Sequence, residues 1–280
     1  MCRKHFVRCL DPAIGADAWQ SHPLSSKPVV KSMSPQEPHV AKQQSAMNNA
    51  EPSTTARGQA SESTDPGLRF LNQLSPVFRL DDEDAIRRFL RAPEFRFNPR
   101  DFLHHQSAQV VQTAAMCLGL TGRFEDAAKL VELLHHDDYF VVSAVEKSIW
   151  SIWMRASTST CVGLLQQVID CIQASQYEEA ESLLDRILIE DPDFAEACNQ
   201  RAILHHLTGR YESSMMACHR TLALNPHHYG AAAGLGHNHF HLGNFTEARA
   251  AFRKALTIHP RMEGIRQAIR RCKLAAADCC

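Results

Sequence analysis

The chain has 280 residues, with 30 Lys+Arg against 31 Asp+Glu and a formal net charge of -1. A balance this even argues against a general nucleic-acid binder or a polybasic membrane binder. No apolar run approaches the ~18 residues of a membrane-spanning helix, and the length suggests about two domains. The unusual counts are 16 His and 10 Cys. Cys2, Cys9, Cys117, Cys161, Cys171, Cys198, Cys218, Cys272, Cys279 and Cys280 include no Cys-x-x-Cys pair, so neither a zinc knuckle nor a redox motif is indicated. Several lie where a helix wants a small apolar residue, which a free thiol supplies. Reduced thiols in a cytoplasmic setting are expected. The Cys279-Cys280 end is similar to a prenylation tail, but no GTPase signature accompanies it.

In chain order, the start is basic (Arg3, Lys4, Arg8). Asp11 and Pro12 interrupt its apolar stretch, so no secretory signal is expected. Residues 20–66 run through Ser, Pro, Gln, Glu and Thr, and seven of the 13 prolines fall in the first 66 residues. Such a composition predicts a disordered arm over 1–66. Asp81-Asp82-Glu83 open a helix ending near Arg91, with the acids at its favourable end. Asn98-Pro99 predict the start of another, continuing through Val110-Val111 and Ala114-Ala115 to Gly119. A third is predicted from Phe124 to Leu134. Asp137 and Asp138 then cap a long helix to about Arg155, with Val141, Val145, Ile149 and Ile152 on one stripe.

The C-terminal part repeats at a step of 34. Pro192, Pro226 and Pro260 obey it, as do Tyr177, Tyr211 and Phe245, then Ala180, Ser214 and Ala248, then Leu188, Leu222 and Leu256. Gly209 and Gly243 obey it too, with Ser175 in the matching place. Each unit reads as a helical hairpin. One helix spans about 195–207, a glycine in left-handed conformation turns the chain at Gly209, and a second runs from Tyr211 to Leu224 and stops before Asn225-Pro226. Small residues mark the close approach of paired helices (Ala202 and Ser214, Gly236 and Ala248). Leu204, Leu222, Leu235, Phe240, Phe252 and Leu256 fill the spaces between. A single hairpin cannot bury its apolar face, so neighbours must stack.

The stretch 161–262 resembles three tetratricopeptide repeats, at 161–194, 195–228 and 229–262. The second reads AEACNQRAILHHLTGRYESSMMACHRTLALNP and the third YGAAAGLGHNHFHLGNFTEARAAFRKALTIHP. The first departs at Ser175, in place of the turn glycine, and at Val168. The second departs at Arg201 and Thr221. Residues 263–275 read as the capping helix such arrays require. Upstream, GRFEDAAKLVELLHHDDYFVVSAVEKSIWSIWM resembles a HEAT-like repeat. Leu120-Thr121-Gly122-Arg123-Phe124-Glu125 also echoes Leu207 to Glu212, so 108–138 has a second reading as a degenerate tetratricopeptide repeat. The HEAT-like reading is preferred, because the long helix after Asp138 has no place in a strict array. The expected architecture is an all-α solenoid: an arm over 1–66, HEAT-like helices over 67–158, and three hairpins with their cap over 159–275.

The resemblance implies that first helices line a concave groove, presenting Ile169, Gln173, Asn199, Gln200, Ile203, His206, Ala233, His237 and His241. Such a mixture suits an extended peptide or a partner helix. His237 and His241 share a helix face, and His206 comes near them from the previous repeat. That raises a metal reading, but no Cys or carboxylate sits at ligand spacing, so no metal is assigned. The pairs His104-His105, His135-His136 and His227-His228 read as solvated. Chaperone-tail binding is not expected, since only Asn199 fits a carboxylate clamp and its Lys or Arg partners are missing.

No nucleophile elbow, phosphate loop or metalloprotease motif occurs, and Gly234-Leu235-Gly236 lies inside a helix. The chain is read as a non-enzyme without cofactor: a cytoplasmic protein–protein interaction scaffold that engages neither nucleic acid nor membrane. The alternatives are a cofactor-handling enzyme or assembly subunit like the HEAT-like bilin lyases, and a His-dependent metal binder. Charge is segregated, with eight acids and one base over 177–196 and eight bases and two acids over 245–275. This pattern suits steering of a partner, or weak head-to-tail self-association.

Overall fold

The computed structural model describes residues 65–79 and 82–278. Most of the expected N-terminal arm and the Cys279-Cys280 end lie outside them. The described residues form twelve α-helices and two short 3-10 turns, with no strand among them. They fall into two compact units, with the division in the chain between Phe95 and Arg96.

The first unit holds α1 (Pro66–Phe78) and α2 (Glu83–Arg91). The sequence reading missed α1. Its signal was Asp65-Pro66, since the Asp65 carboxylate accepts from the Gly67 amide at 2.8 Å and Pro66 occupies the first turn. Asp82 caps α2 as expected, accepting from the Asp84 and Ala85 amides. Phe70, Leu74 and Ile86 are buried, and Phe95 packs its ring against Phe70 and Phe89.

The second unit begins with a correction. Asn98 caps only a four-residue 3-10 turn (Pro99–Phe102), and a separate helix, α3 (Ala108–Thr121), starts after Ser107. The expected continuous helix is therefore broken at 103–107. Next come α4 (Phe124–Glu132), a turn at Leu133–His135, and α5 (Tyr139–Met154), whose stripe Val141, Val145, Ile149 and Ile152 is fully buried. α3 packs closely on α5: a Cβ on Gly119 would lie 2.6 Å from the Ser148 hydroxyl. Gly122 has φ -66°, unlike Gly209 (+72°) and Gly243 (+77°). The echo of Leu207–Glu212 at Leu120–Glu125 thus does not make the same turn.

The hairpins follow as α6 (Ser159–Gln173) with α7 (Tyr177–Glu190), α8 (Ala195–Leu207) with α9 (Tyr211–Leu224), and α10 (Tyr229–His241) with α11 (Phe245–Ile258). Their turns share one hydrogen-bond pattern. The amides of Gln176, Arg210 and Asn244 donate to the carbonyls of Cys171, His205 and His239, each at 2.8 Å. Ser175 adopts φ +58° to make that turn, and it is the one described non-glycine residue at positive φ. The cap α12 (Ile265–Asp278) starts two residues later than expected, after Gly264 at φ +74°. Ser214 donates to the Ala202 carbonyl at 2.7 Å, confirming that small residues let the paired helices approach. Gly236 likewise sits at a close approach, to the Phe252 ring of α11: a Cβ there would lie 2.5 Å from ring carbons.

Two stability measurements check this packing. Ser175→Gly removes a left-handed strain and is expected to raise unfolding free energy by roughly 0.5–1 kcal/mol. Gly236→Ala forces a methyl into the Phe252 ring and is expected to lower it by about 1–3 kcal/mol. Denaturant titration reads both, and an unchanged Gly236→Ala midpoint would contradict the packing.

Candidate functional site on the first-helix face

The first helices of the three hairpins, α6, α8 and α10, lie side by side. Of the groove residues expected from the sequence, Ile169, Asn199, Gln200, Ile203, His206, Ala233 and His237 are buried; Gln173 is exposed and His241 half-buried. The face is therefore not an open trough along its length. Its N-terminal half is where α5 docks.

α5 touches α8, and its two tryptophans cover the entry to α10. Trp153 stacks on His228 with centroids 4.6 Å apart, and Trp150 meets His228 and Tyr229 edge-on. All four side chains are buried. Further along, Glu146 on α5 lies 3.6 Å from His259, and Arg261 donates to the Asp137 carbonyl at 2.8 Å. At the other end of α5, Met154 packs into the core of the first hairpin. α5 thus runs along the stack from the third hairpin back to the first.

His228 corrects an expectation. It was read as solvated and is fully buried. Its Nδ1 accepts from the Ala231 amide at 3.0 Å, so Nε2 carries the proton and donates to Glu196 at 3.1 Å. The buried Glu196 carboxylate also accepts from Asn199 (3.1 Å) and Gln200 (2.9 Å). Two residues assigned to the groove are thereby committed to satisfying an internal carboxylate, which would otherwise be costly to bury.

The C-terminal half of the face carries the histidines, and they do converge. His206 lies 6.3 Å from His237 and 5.2 Å from His241 between centroids, and His241 stacks on Tyr211 at 4.8 Å. His206 Nδ1 donates to Asn238, Asn238 to the Ser214 hydroxyl, and Ser214 to Ala202, a buried chain joining α8, α10 and α9. Burial pulls His206 below its ordinary pKa. Burial and the neighbouring histidine charges pull His237 to about 3 and His241 to about 4. Among the described residues no group of three His, Cys, Asp or Glu is placed to hold a metal ion.

On the opposite side, a cleft of about 450 Å³ opens between α7, α8 and α9, lined by Leu188, Cys198, Met216 and Ala217. The ion pairs Asp185–Arg201 and Asp193–Arg220 bound it. Cys117, Cys161, Cys198, Cys218 and Cys272 are buried free thiols, in keeping with the packing role read from their positions. No described helix is long and apolar enough to cross a membrane.

Comparison with known proteins finds similarity to repeat proteins. The family model for the tetratricopeptide repeat matches residues 230–262. A TPR repeat-containing protein of Rhizobium etli is 29% identical over 118 residues, covering 42% of this chain and 58% of the relative's length. The chain thus spans little more than half of that curated relative. Among solved structures, the first TPR of Spaghetti (RPAP3), bound to the HSP90 peptide SRMEEVD, has TM-score 0.42 and 19% identity over 43% of this chain and 96% of its own. The Sgt2 TPR domain from Aspergillus fumigatus has TM-score 0.42 and 17% identity over 44% and 83%. The match to the tetratricopeptide repeat model thus falls on the third hairpin, α10 with α11, and the chain is similar to proteins that carry this repeat.

Two measurements test the site. Trp153→Ala empties the seam between α5 and α10, and is expected to cost about 3–5 kcal/mol of unfolding free energy. The histidines set an acid limb. Well above the unfolded pKa near 6.5, both states are neutral and the contribution is complete. As pH falls below that, the unfolded chain binds protons that native His237 and His241 refuse. Stability then drops by about 1.4 kcal/mol per pH unit for each histidine until native protonation near pH 4 to 3. His241→Gln should remove one histidine's share of that slope. An unchanged slope in chemical denaturation from pH 7 to 4 contradicts the assignment.

Proposed function

We propose that this chain is a protein–protein interaction module that recognises a peptide or partner helix by shape and charge, with no covalent step and no cofactor. The observation that carries this reading is the first-helix face itself. It is a row of helices docked by α5 at its N-terminal half, with His206 and His237 buried toward its C-terminal half and Gln173 and His241 less so. Gln173 and His241 reach the surface there, beside half-buried Tyr211 and Leu207. A short amphipathic segment suits that combination of an amide, a ring pair and an apolar edge.

The full-length groove inferred from the family is narrowed by α5 to this end. Asn199 is buried against Glu196, which supports the expectation that no chaperone carboxylate is clamped here. We read α3 to α5 as HEAT-like helices that brace the hairpins, and the buried thiols support a cytoplasmic setting.

Site-specific photo-cross-linking tests the reading. A benzoylphenylalanine at Gln173 and one at His241 are expected to capture the same discrete protein from native extract. Gln173→Ala/His241→Ala in the unlabelled chain should weaken its competition for that protein by about tenfold. Capture that is indifferent to the double variant would overturn the assignment of this face.

A further inference from the structure

The ion pairs of the array are distributed unevenly between its seams. At the seam of the first and second hairpins, three acids of the first meet three arginines of the second. Glu181 pairs with Arg210 through both carboxylate oxygens, at 2.7 and 3.0 Å, Asp185 with Arg201, and Asp193 with Arg220. Stepping two repeats along the chain, the positions of Glu181, Asp185 and Asp193 are held by Arg249, Arg253 and Arg261. The third hairpin therefore offers guanidinium groups where the first offers carboxylates.

Residues 265–277 of the cap include no acid. α12 packs on α11 and places Arg266, Arg270 and Leu274 along one exposed stripe at i, i+4, i+8, with Lys273 beside it. Among the described residues, no ion pair joins Arg249, Arg253, Lys254, Arg266, Arg270 or Lys273 to an acid. Leu274 is 68% exposed in the midst of this charge. Both sides of the seam carry like charge, an arrangement that costs stability unless a partner neutralises it.

We propose that the edge formed by α11 and α12 is a second interaction surface, built for an acidic amphipathic segment of a partner protein. Its carboxylates pair with Arg249, Arg253, Arg266 and Arg270, and an apolar side chain of the same segment covers Leu274. The bidentate Glu181–Arg210 pair shows that this array already uses carboxylate–guanidinium contacts to join one helix to the next. The incoming segment repeats that join at the edge of α11 and α12.

A second copy of this chain is the poorer fit. Of the acids that could reach across, Glu181, Asp185 and Asp193 are committed to the second hairpin, Glu190 accepts from Thr158 and Glu196 is buried against His228, which leaves the adjacent Glu178 and Glu179 against four arginines. Nucleic acid is the poorer fit as well. Phe245 and Phe252 on α11 are buried and Arg271 covers Phe240, so these helices present no aromatic face for stacking a base. The surface does not depend on the first-helix face, and its partner is a separate ligand from the one proposed there.

The test uses the full chain and a fluorescein-labelled peptide of glutamate and leucine, with leucine at helical spacing. Its lysine-for-glutamate counterpart and a single-stranded oligothymidylate serve as competing probes. Saturable binding of the glutamate peptide, absent for the lysine peptide, is expected by anisotropy at low salt. Arg253→Glu/Arg266→Glu/Arg270→Glu should weaken it by more than about tenfold, and the matching Gln variants by less. All three positions are exposed, so circular dichroism should remain that of the parent. Arg220→Gln, at the already paired seam, should leave binding unchanged. Failure of the glutamate peptide to bind, equal binding to the triple Glu variant, or tighter binding of the oligothymidylate would each overturn the proposal.

Discussion

The stack of Trp153 on His228, with Glu196 beneath it, is the contact on which the arrangement of the second unit depends. It joins a helix from the middle of the chain to the ends of two hairpins, and it does so with buried polar groups that tolerate no other register. Glu196 must receive its three donors, and His228 must keep Nδ1 toward the Ala231 amide, so the ring has one tautomer and one orientation. Trp153 and Trp150 then supply the apolar area that excludes water from the pair. Because α5 is held there, the N-terminal half of the first-helix face is interior, and of its nine expected groove residues Gln173 and His241 alone keep appreciable exposure.

This contact also separates what the chain discloses locally from what it does not. The hairpins were legible because their determinants recur at a fixed step. Pro192, Pro226 and Pro260 stop the second helices, Gly209 and Gly243 turn the chain, and Ser175 is forced into the same left-handed geometry by its neighbours. Asp82 and Asp138 were legible as caps for the same local reason. The docking of α5 was not, since the Arg261–Asp137 and Trp153–His228 contacts link distant segments with no shared period. His228 looked like one of several solvated His-His pairs, and its burial follows only from where α5 lies. The break at 103–107 escaped because Asn98-Pro99 and Ser107 are both valid helix starts, and the first supports a single turn. Convergence of His206, His237 and His241 was readable from helix spacing and repeat register. Their loss of basicity was not, because it comes from burial.

Charge follows the same division. The even net charge conceals an acidic hairpin, three of whose acids pair with the next hairpin, followed by a basic hairpin and cap in which, among the described residues, no ion pair joins Arg249, Arg253, Arg266 or Arg270 to an acid. The acidic end is thus a structural seam, whereas the basic end faces solvent. The two surfaces proposed above for recognition are accordingly the C-terminal part of the first-helix face and the basic edge of α11 and α12.

If the Trp153–His228–Glu196 contact is the organising one, α5 and the first helices of hairpins two and three are one cooperative unit. Native-state hydrogen exchange on the full chain reads this directly. The slowest amides of α5, α8 and α10 should share one opening free energy and one denaturant dependence, converging on global unfolding. Exchange of α5 through a separate opening of clearly lower free energy, with α8 and α10 still protected, would contradict the account.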